Sequence, residues 1–371
     1  MGRPTRSDAV RVDEVAVSTY RIPTDAPEES DGTYIWSSTT LVLVEASGGG
    51  VTGIGYTYAD HSTARLIHDT LADIVRGRDA MATAEIWTAL VASVRNLGRT
   101  GIASMAISAI DVALWDLRAR LLGLPLVSLL GAARAEVPVY GSGGFTSYTF
   151  AELEAQLGAW VRDGISKVKM KIGRDAAADI ERVAAARRAI GDDAELFVDA
   201  NGAYSLKQAL AQAERFVDSS VTWFEEPVYH RDLSGLRFCR DHAPAGMEIS
   251  AGEYGYAPDT FARLIDAGAV DVLQADATRC EGITGLLIVD SICESTMTPL
   301  STHCAPALHT HPACAAKRVR HVEYFHDHAR IERMLFDGVV VPRDGMLVPD
   351  LSRPGLGLEL KHADARAYAT S

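Results

Sequence analysis

Three apolar, strand-like runs in the middle of the chain each end on a carboxylate: Phe197-Val-Asp199, Trp223-Phe-Glu225 and Ile249-Ser-Ala-Gly-Glu253, about one β/α unit apart. That spacing restricts the fold severely. In a closed barrel of parallel strands, side chains at the strand exits converge on one face, so acids one unit apart in sequence meet in space. Three converging oxygen ligands suit Mg²⁺, and Asp199, Glu225 and Glu253 are the expected metal ligands.

The rest of the chain has the matching rhythm. Short apolar segments at 137–140, 167–171, 195–199, 221–225, 248–250, 270–274, 298–301 and 320–324 alternate with seven amphipathic helical stretches. Eight strands in this order predict a β/α barrel rather than an open doubly wound sheet, and no Gly-x-Gly-x-x-Gly follows the first strand to favour a dinucleotide site. Ahead of the barrel, 10–58 reads as a β-meander and 62–129 as helical, an α+β unit. We therefore predict a capping domain over 1–134, a barrel over 135–335, and a tail over 336–371 that returns to the cap. The polar, turn-rich stretch 23–32 reads as a mobile loop.

Composition excludes several classes. Hydrophobic residues make up 47% and charged residues 23% of 371, as in a globular enzyme with a large core. A formal net charge of −13 argues against nucleic acid. No apolar run reaches the roughly 18 residues that cross a bilayer. The first six residues hold no apolar segment, and five cysteines without a Cys-x-x-Cys pair suit a reducing cytosol. The expectation is a cytoplasmic protein with no nucleic-acid partner and no membrane.

Strand alternation puts Lys169 and Lys171 on one face, the interior if the sheet closes. Two ammonium groups there repel, and burial penalises charge, so one is expected to approach neutrality and act as a base while the other binds a carboxylate. The competing reading is a solvated edge strand. Asp199 could instead cap a helix, a role that Asn201 or Ser205 can fill. Glu225 is favoured as a ligand over Glu226, which should face away and pair with a positive neighbour. At the exits of the sixth and seventh strands, Asp276 and His303 form a candidate dyad in which the carboxylate fixes the tautomer and raises basicity. Glu323 ends the eighth strand; if protonated it can donate to a developing enolate oxygen, and a structural pair with Arg320 or Lys317 is the alternative. His309-x-His311 could imitate a metal pair but lacks that register.

As an ordered set these residues resemble the enolase superfamily, specifically the mandelate racemase subgroup. The resemblance runs through Ala106-Ile-Ser-Ala-Ile-Asp-Val-Ala-Leu-Trp-Asp-Leu, Val168-Lys-Met-Lys-Ile-Gly, Asp199-Ala-Asn, Glu225-Glu-Pro, Gly252-Glu, Asp276, His303 and the Pro-Gly-Leu-Gly tail. It implies a modified (β/α)₇β barrel under an α+β cap made from both chain ends, bound Mg²⁺, a homo-oligomer, and abstraction of the proton α to a carboxylate. By that similarity Lys171 is one base, Lys169 its modulator, Asp276/His303 the opposite acid–base pair and Glu323 the enolate donor. The chain departs from the family after Asp276, where Arg279-Cys280-Glu281-Gly282 stands in place of Lys-Ile-Gly-Gly and should bring an extra acid and thiol near the mouth.

Dehydration of a sugar acid to a 2-keto-3-deoxy acid is the leading expectation. Racemisation or epimerisation at the α-carbon uses the same residues, and a catalytically silent metal-binding barrel is the remaining alternative. Substrate choice should lie with Asn201 and with the cap, where Trp36, Tyr56, Tyr58 and His61 are candidates for contact.

Overall fold

The computed structural model describes residues 9–26 and 28–370. The opening residues and Pro27 of the polar stretch lie outside the described residues. Eight parallel strands close into a barrel: Val137–Gly143, Lys167–Lys171, Glu195–Asp199, Val221–Glu225, Glu248–Ala251, Val272–Ala275, Leu300–Thr302 and Val319–Phe325. The eighth pairs with the first through Val322 and Val139, which seals the ring. Seven helices connect them, and an eighth, His326–Leu335, follows the last strand.

The period-two alternation of each strand sorts its residues between two cores. Val168, Met170, Leu196, Val198, Phe224, Ile249 and Leu273 join the large cluster under the surrounding helices. The alternate positions fill the barrel. Tyr140, Phe197, Trp223 and Val272 form a separate buried layer, against which His321 packs edge-on. This aromatic plug closes the barrel below the charged residues, and Lys169 Nζ stands 5.5 Å from the centre of the Tyr140 ring.

The cap is a three-stranded antiparallel sheet, Glu14–Pro23, Ser38–Gly48 and Val51–Tyr58, with the helix Ile102–Leu121 packed on it. Contact is at backbone distance: a Cβ added at Gly53 would lie 2.2 Å from Leu117 N, and one at Gly55 2.3 Å from Ala109 O. Two buried aspartates of this helix fasten the molecule together. Asp111 accepts from Thr284 N at 2.9 Å and Thr284 Oγ1 at 2.6 Å, tying the cap to the N-terminus of the barrel helix Gly282–Thr296. Asp116 accepts from Ile54 N in the cap sheet and from Leu356 N in the tail. The tail first lays Met346–Leu347 antiparallel on the first barrel strand, then ends beside the first cap strand, where Thr370 N donates to Thr19 O.

The stretch expected as a mobile loop is instead tethered. Glu29–Ser30 and Ile35–Trp36 pair as a small hairpin, Thr146 N donates to Ser30 O, and Arg330 Nη2 donates to Pro23 O. Thr146 and Arg330, distant in sequence, come within reach only on folding.

Candidate active site

The strand exits and the cap enclose a cavity of about 440 Å³. Its barrel side presents Lys171, Asn201, Glu253, Arg279, His303, Cys304 and Glu323; its cap side presents Asp31, Thr33, Trp36, Thr39, Thr40 and Tyr58.

Carboxylate oxygens of Asp199, Glu225 and Glu253 all lie within 4.8 Å of one another, and the three side chains are buried. Gly252 makes the approach possible: its φ is +137° and a Cβ there would lie 2.1 Å from Gln274 O. Ser205, with Gln208, caps the next helix, which leaves Asp199 free for the centre. Oε2 of Glu253 is enclosed and faces only the His303 ring, at 2.9 Å from Nε2, and an enclosed carboxylate oxygen gains from a cation. A hard-oxygen set of this kind fits Mg²⁺.

The two lysines are interleaved with the carboxylates. Lys169 Nζ reaches Glu225 Oε1 at 2.8 Å and Oε2 at 2.7 Å, Glu323 Oε1 at 2.8 Å and Asp199 Oδ2 at 3.3 Å. Lys171 Nζ donates to Asp199 Oδ2 at 2.5 Å and Asn201 Oδ1 at 3.0 Å. Burial alone would depress both amines; Glu225 and Glu323 outweigh it at Lys169, and Asp199 at Lys171, so both pKa values are raised. The expectation of a lysine drifting toward neutrality is thus corrected: mutual repulsion is overridden by carboxylates that sequence spacing does not rank. Glu323 is corrected similarly. Against the upward push of burial, Lys169 and His303 hold its pKa low, and it accepts from Ser142 Oγ at 2.6 Å and Cys304 N at 2.8 Å rather than standing as a protonated donor. Arg320 pairs with Glu248 instead.

His303 Nδ1 lies 2.8 Å from Asp276 Oδ2, and its Nε2 lies 2.9 Å from Glu253 Oε2 and 3.3 Å from Cys304 Sγ. Burial opposes charge on the ring, but Cys304, Glu253 and Glu323 around it raise its pKa well above the usual value. His309 sets the spacing of the dyad. Its Nε2 accepts from Ala277 N at 3.0 Å while Nδ1 donates to Cys304 O at 2.9 Å, so a neutral ring bridges the sixth and seventh strand exits. His311 Nδ1 accepts from Val127 N; neither imidazole belongs to the carboxylate cluster.

Several expected contacts are elsewhere. Tyr56 is buried, donates to Glu332 Oε1 at 2.6 Å and stacks on Phe336, away from the cavity. His61 sits in a separate surface cavity with its Nδ1 3.3 Å from Thr19 Oγ1. Trp36, Tyr58 and Asn201 do line the site. Glu226 finds no positive partner among the described residues. It occupies a left-handed turn (φ +37°), both oxygens are enclosed without partners, and burial followed by the charges of Glu253, Asp199 and Glu225 raises its pKa. Glu281 is not at the mouth; it is buried and held by Arg99, with Nη2 to Oε2 at 2.6 Å. Among the lining residues that escaped assignment from sequence are Asp31, Thr33, Thr39 and Thr40 on the cap side and Arg279 and Cys304 on the barrel side. The signal for Arg279 and Cys304 was adjacency to a strand-end acid and histidine. Arg279 Nη1 donates to Glu253 O at 3.0 Å and its guanidinium lies 5.4 Å over the Tyr254 ring.

Comparison with known proteins agrees with this geometry. The model of the mandelate racemase/muconate lactonizing enzyme N-terminal domain matches residues 17–131, and the enolase C-terminal domain-like model matches 152–365. The chain is 31% identical over 358 residues to a 3,6-anhydro-α-L-galactonate cycloisomerase of Streptomyces coelicolor, covering 94% of this chain and 97% of that one. It is 32% identical over 323 residues to the L-talarate/galactarate dehydratase of Salmonella typhimurium (85% and 79% covered). The structure of that enzyme liganded with Mg and L-lyxarohydroxamate superposes with a TM-score of 0.90 at 28% identity, covering 100% of this chain and 96% of that one. A mandelate racemase/muconate lactonizing enzyme-like protein from Rubrobacter xylanophilus gives a TM-score of 0.95 at 54% identity, covering 97% and 100%. Sequence, barrel and strand-end residues together show that this chain belongs to the mandelate racemase/muconate lactonizing enzyme family of the enolase superfamily.

Proposed function

We propose that the protein is a Mg²⁺-dependent acid-sugar dehydratase, removing the proton α to a carboxylate and expelling the β-hydroxyl to give a 2-keto-3-deoxy acid. The observation that carries this reading is that Lys171 and a His303/Asp276 dyad border one cavity beside three convergent carboxylates. The cap side adds the hydroxyls of Thr33, Thr39 and Thr40, suited to a polyol. Relatives that act on acid sugars support the same substrate class.

Asp199, Glu225 and Glu253 would hold the Mg²⁺. When bound, it supplies the positive charge against which the substrate carboxylate becomes a better electron sink. With those carboxylates engaged, the charge that raises the Lys171 pKa is largely neutralised, and Lys171 Nζ can accept the α-proton, oriented by Asn201 Oδ1. Lys169 keeps Glu225 and Glu323 fixed and holds Glu323 ionised. The electron pair released from the C–H bond forms the α,β double bond as the β-hydroxyl leaves with a proton from His303 Nε2. The products are water and an enol that tautomerises to the keto acid. Asp276 holds Nδ1 throughout, so that Nε2 is the nitrogen that loses the proton. The five cysteines are buried and unpaired, in keeping with a reducing cytoplasm. The homo-oligomer is part of this reading and is open to light scattering.

The test is proton NMR in D₂O with Mg²⁺ over a library of acid sugars and α-hydroxy acids. Wild-type protein should wash out the α-proton with loss of the β-hydroxyl, and Lys171→Ala and His303→Asn should each lose about 10²–10⁴-fold in rate. Exchange with the skeleton intact would identify a racemase or epimerase, which needs the same two groups. Mg²⁺ binding with no exchange from any substrate would leave a silent barrel.

A further inference from the structure

Beside the active-site cavity lies a second group of converging ligand atoms. Glu29, in the cap hairpin, is 0% exposed and neither of its carboxylate oxygens has a hydrogen-bond partner. Asp327, just past the eighth barrel strand, is 1% exposed; its Oδ1 is likewise unpartnered, while Oδ2 accepts from Trp36 Nε1 at 3.2 Å. Ligand atoms of Glu29, Asp327 and His326 all lie within 4.8 Å of one another. His326 Nε2 is 2.8 Å from Asp25 Oδ2. A carboxylate on one ring nitrogen that leaves the other with its lone pair is the usual second partner of a metal-binding imidazole.

The charges leave a gap of matching size. Asp25, Glu29 and Asp327 carry three negative charges. Facing them is Arg330, whose Nε is 3.0 Å from Asp25 Oδ1 and whose Nη2 is 3.7 Å from Asp327 Oδ1. Arg330 is shared with the half-exposed Asp25, so the two enclosed carboxylates, Glu29 and Asp327, are left short of positive charge, and enclosed carboxylates do not stay ionised without compensation. We propose that Glu29, Asp327 and His326 bind a second divalent cation, separate from the Asp199/Glu225/Glu253 centre, which fastens the cap hairpin to the barrel. Two carboxylates and an imidazole suit a first-row ion such as Mn²⁺. Because Trp36 hangs on the other oxygen of Asp327 and lines the cavity, occupancy of this site fixes one wall of the substrate pocket.

A shared proton is the competing solution. Burial, then the neighbouring Asp327, pushes Glu29 up to about 9. Counting bound metal separates the two. Full-length protein stripped of metal is titrated with Mn²⁺, with free Mn²⁺ followed by electron paramagnetic resonance and bound metal by elemental analysis after gel filtration. Two Mn²⁺ per chain are expected, falling to one in Glu29→Gln and to one in Asp199→Asn, with circular dichroism reporting folding. One Mn²⁺ in wild type, or two retained in folded Glu29→Gln, overturns the proposal. A single ion together with a protonated-carboxyl infrared band that disappears in Glu29→Gln would assign the proton instead. The wild-type count decides even where a variant fails to fold.

Discussion

At the scale of single residues, the centre is a balance of enclosed charges, and Lys169 is its keystone. It touches Glu225, Glu323 and Asp199 at once with no exposure to solvent. Lys169→Met should cost about 3–5 kcal/mol in metal-free protein, because it strands carboxylates that cannot reach water. Thermal melts in chelator should show the loss, and added Mg²⁺ should restore part of it. The inward face of the barrel was legible in sequence because alternation is geometric: Lys169, Lys171, Asp199, Glu225, Asp276 and His303 all converge as strand periodicity requires. Their protonation states were not legible, since these depend on which carboxylates finally touch which amines. Tyr56 and Tyr58 illustrate a second limit. They share a strand face, yet Tyr58 stacks on His328 at 3.4 Å beside the cavity while Tyr56 points to Glu332, a difference set by where the strand crosses the barrel rim.

At the scale of elements, the cap sheet and its helix meet through glycine. Gly55→Ala should destabilise the protein by about 1–3 kcal/mol or more, because the new methyl meets helix backbone rather than a yielding side chain. Chemical denaturation reads this directly. The helix His326–Leu335 carries a different sensitivity. Burial pushes the Glu332 carboxyl up to about 8, against hydrogen bonds from Tyr56 and Ala307 that favour ionisation. A carboxyl with a raised folded-state pKa contributes stability that is complete below its unfolded value, near pH 4, and lost as pH rises through about 8. Glu332→Gln should therefore flatten the fall in stability between those limits, as seen in melts across pH. The strands and helices themselves were readable from periodicity. The tethered hairpin was not, because Thr146, His326 and Arg330, which anchor it, lie more than a hundred residues away in sequence.

For the whole molecule, Asp111 and Asp116 place the cap helix in contact with the sixth-strand exit helix, the cap sheet and the tail. Cap and barrel should melt in one calorimetric transition. Mg²⁺ binding to the native state alone should raise its midpoint, by about 2.7 kcal/mol of added stability at a hundredfold excess over Kd, and chelator should reverse it. A second low-temperature transition unaffected by Mg²⁺ would show that the cap unfolds on its own. The bond from Thr370 in the tail to Thr19 has a mechanical meaning as well. A load applied between the first cap strand and the last turn meets that junction first and must peel the tail from the cap before tension reaches any barrel strand. Under such a load the barrel is reached last, and the cap is the part of the fold that would feel it first.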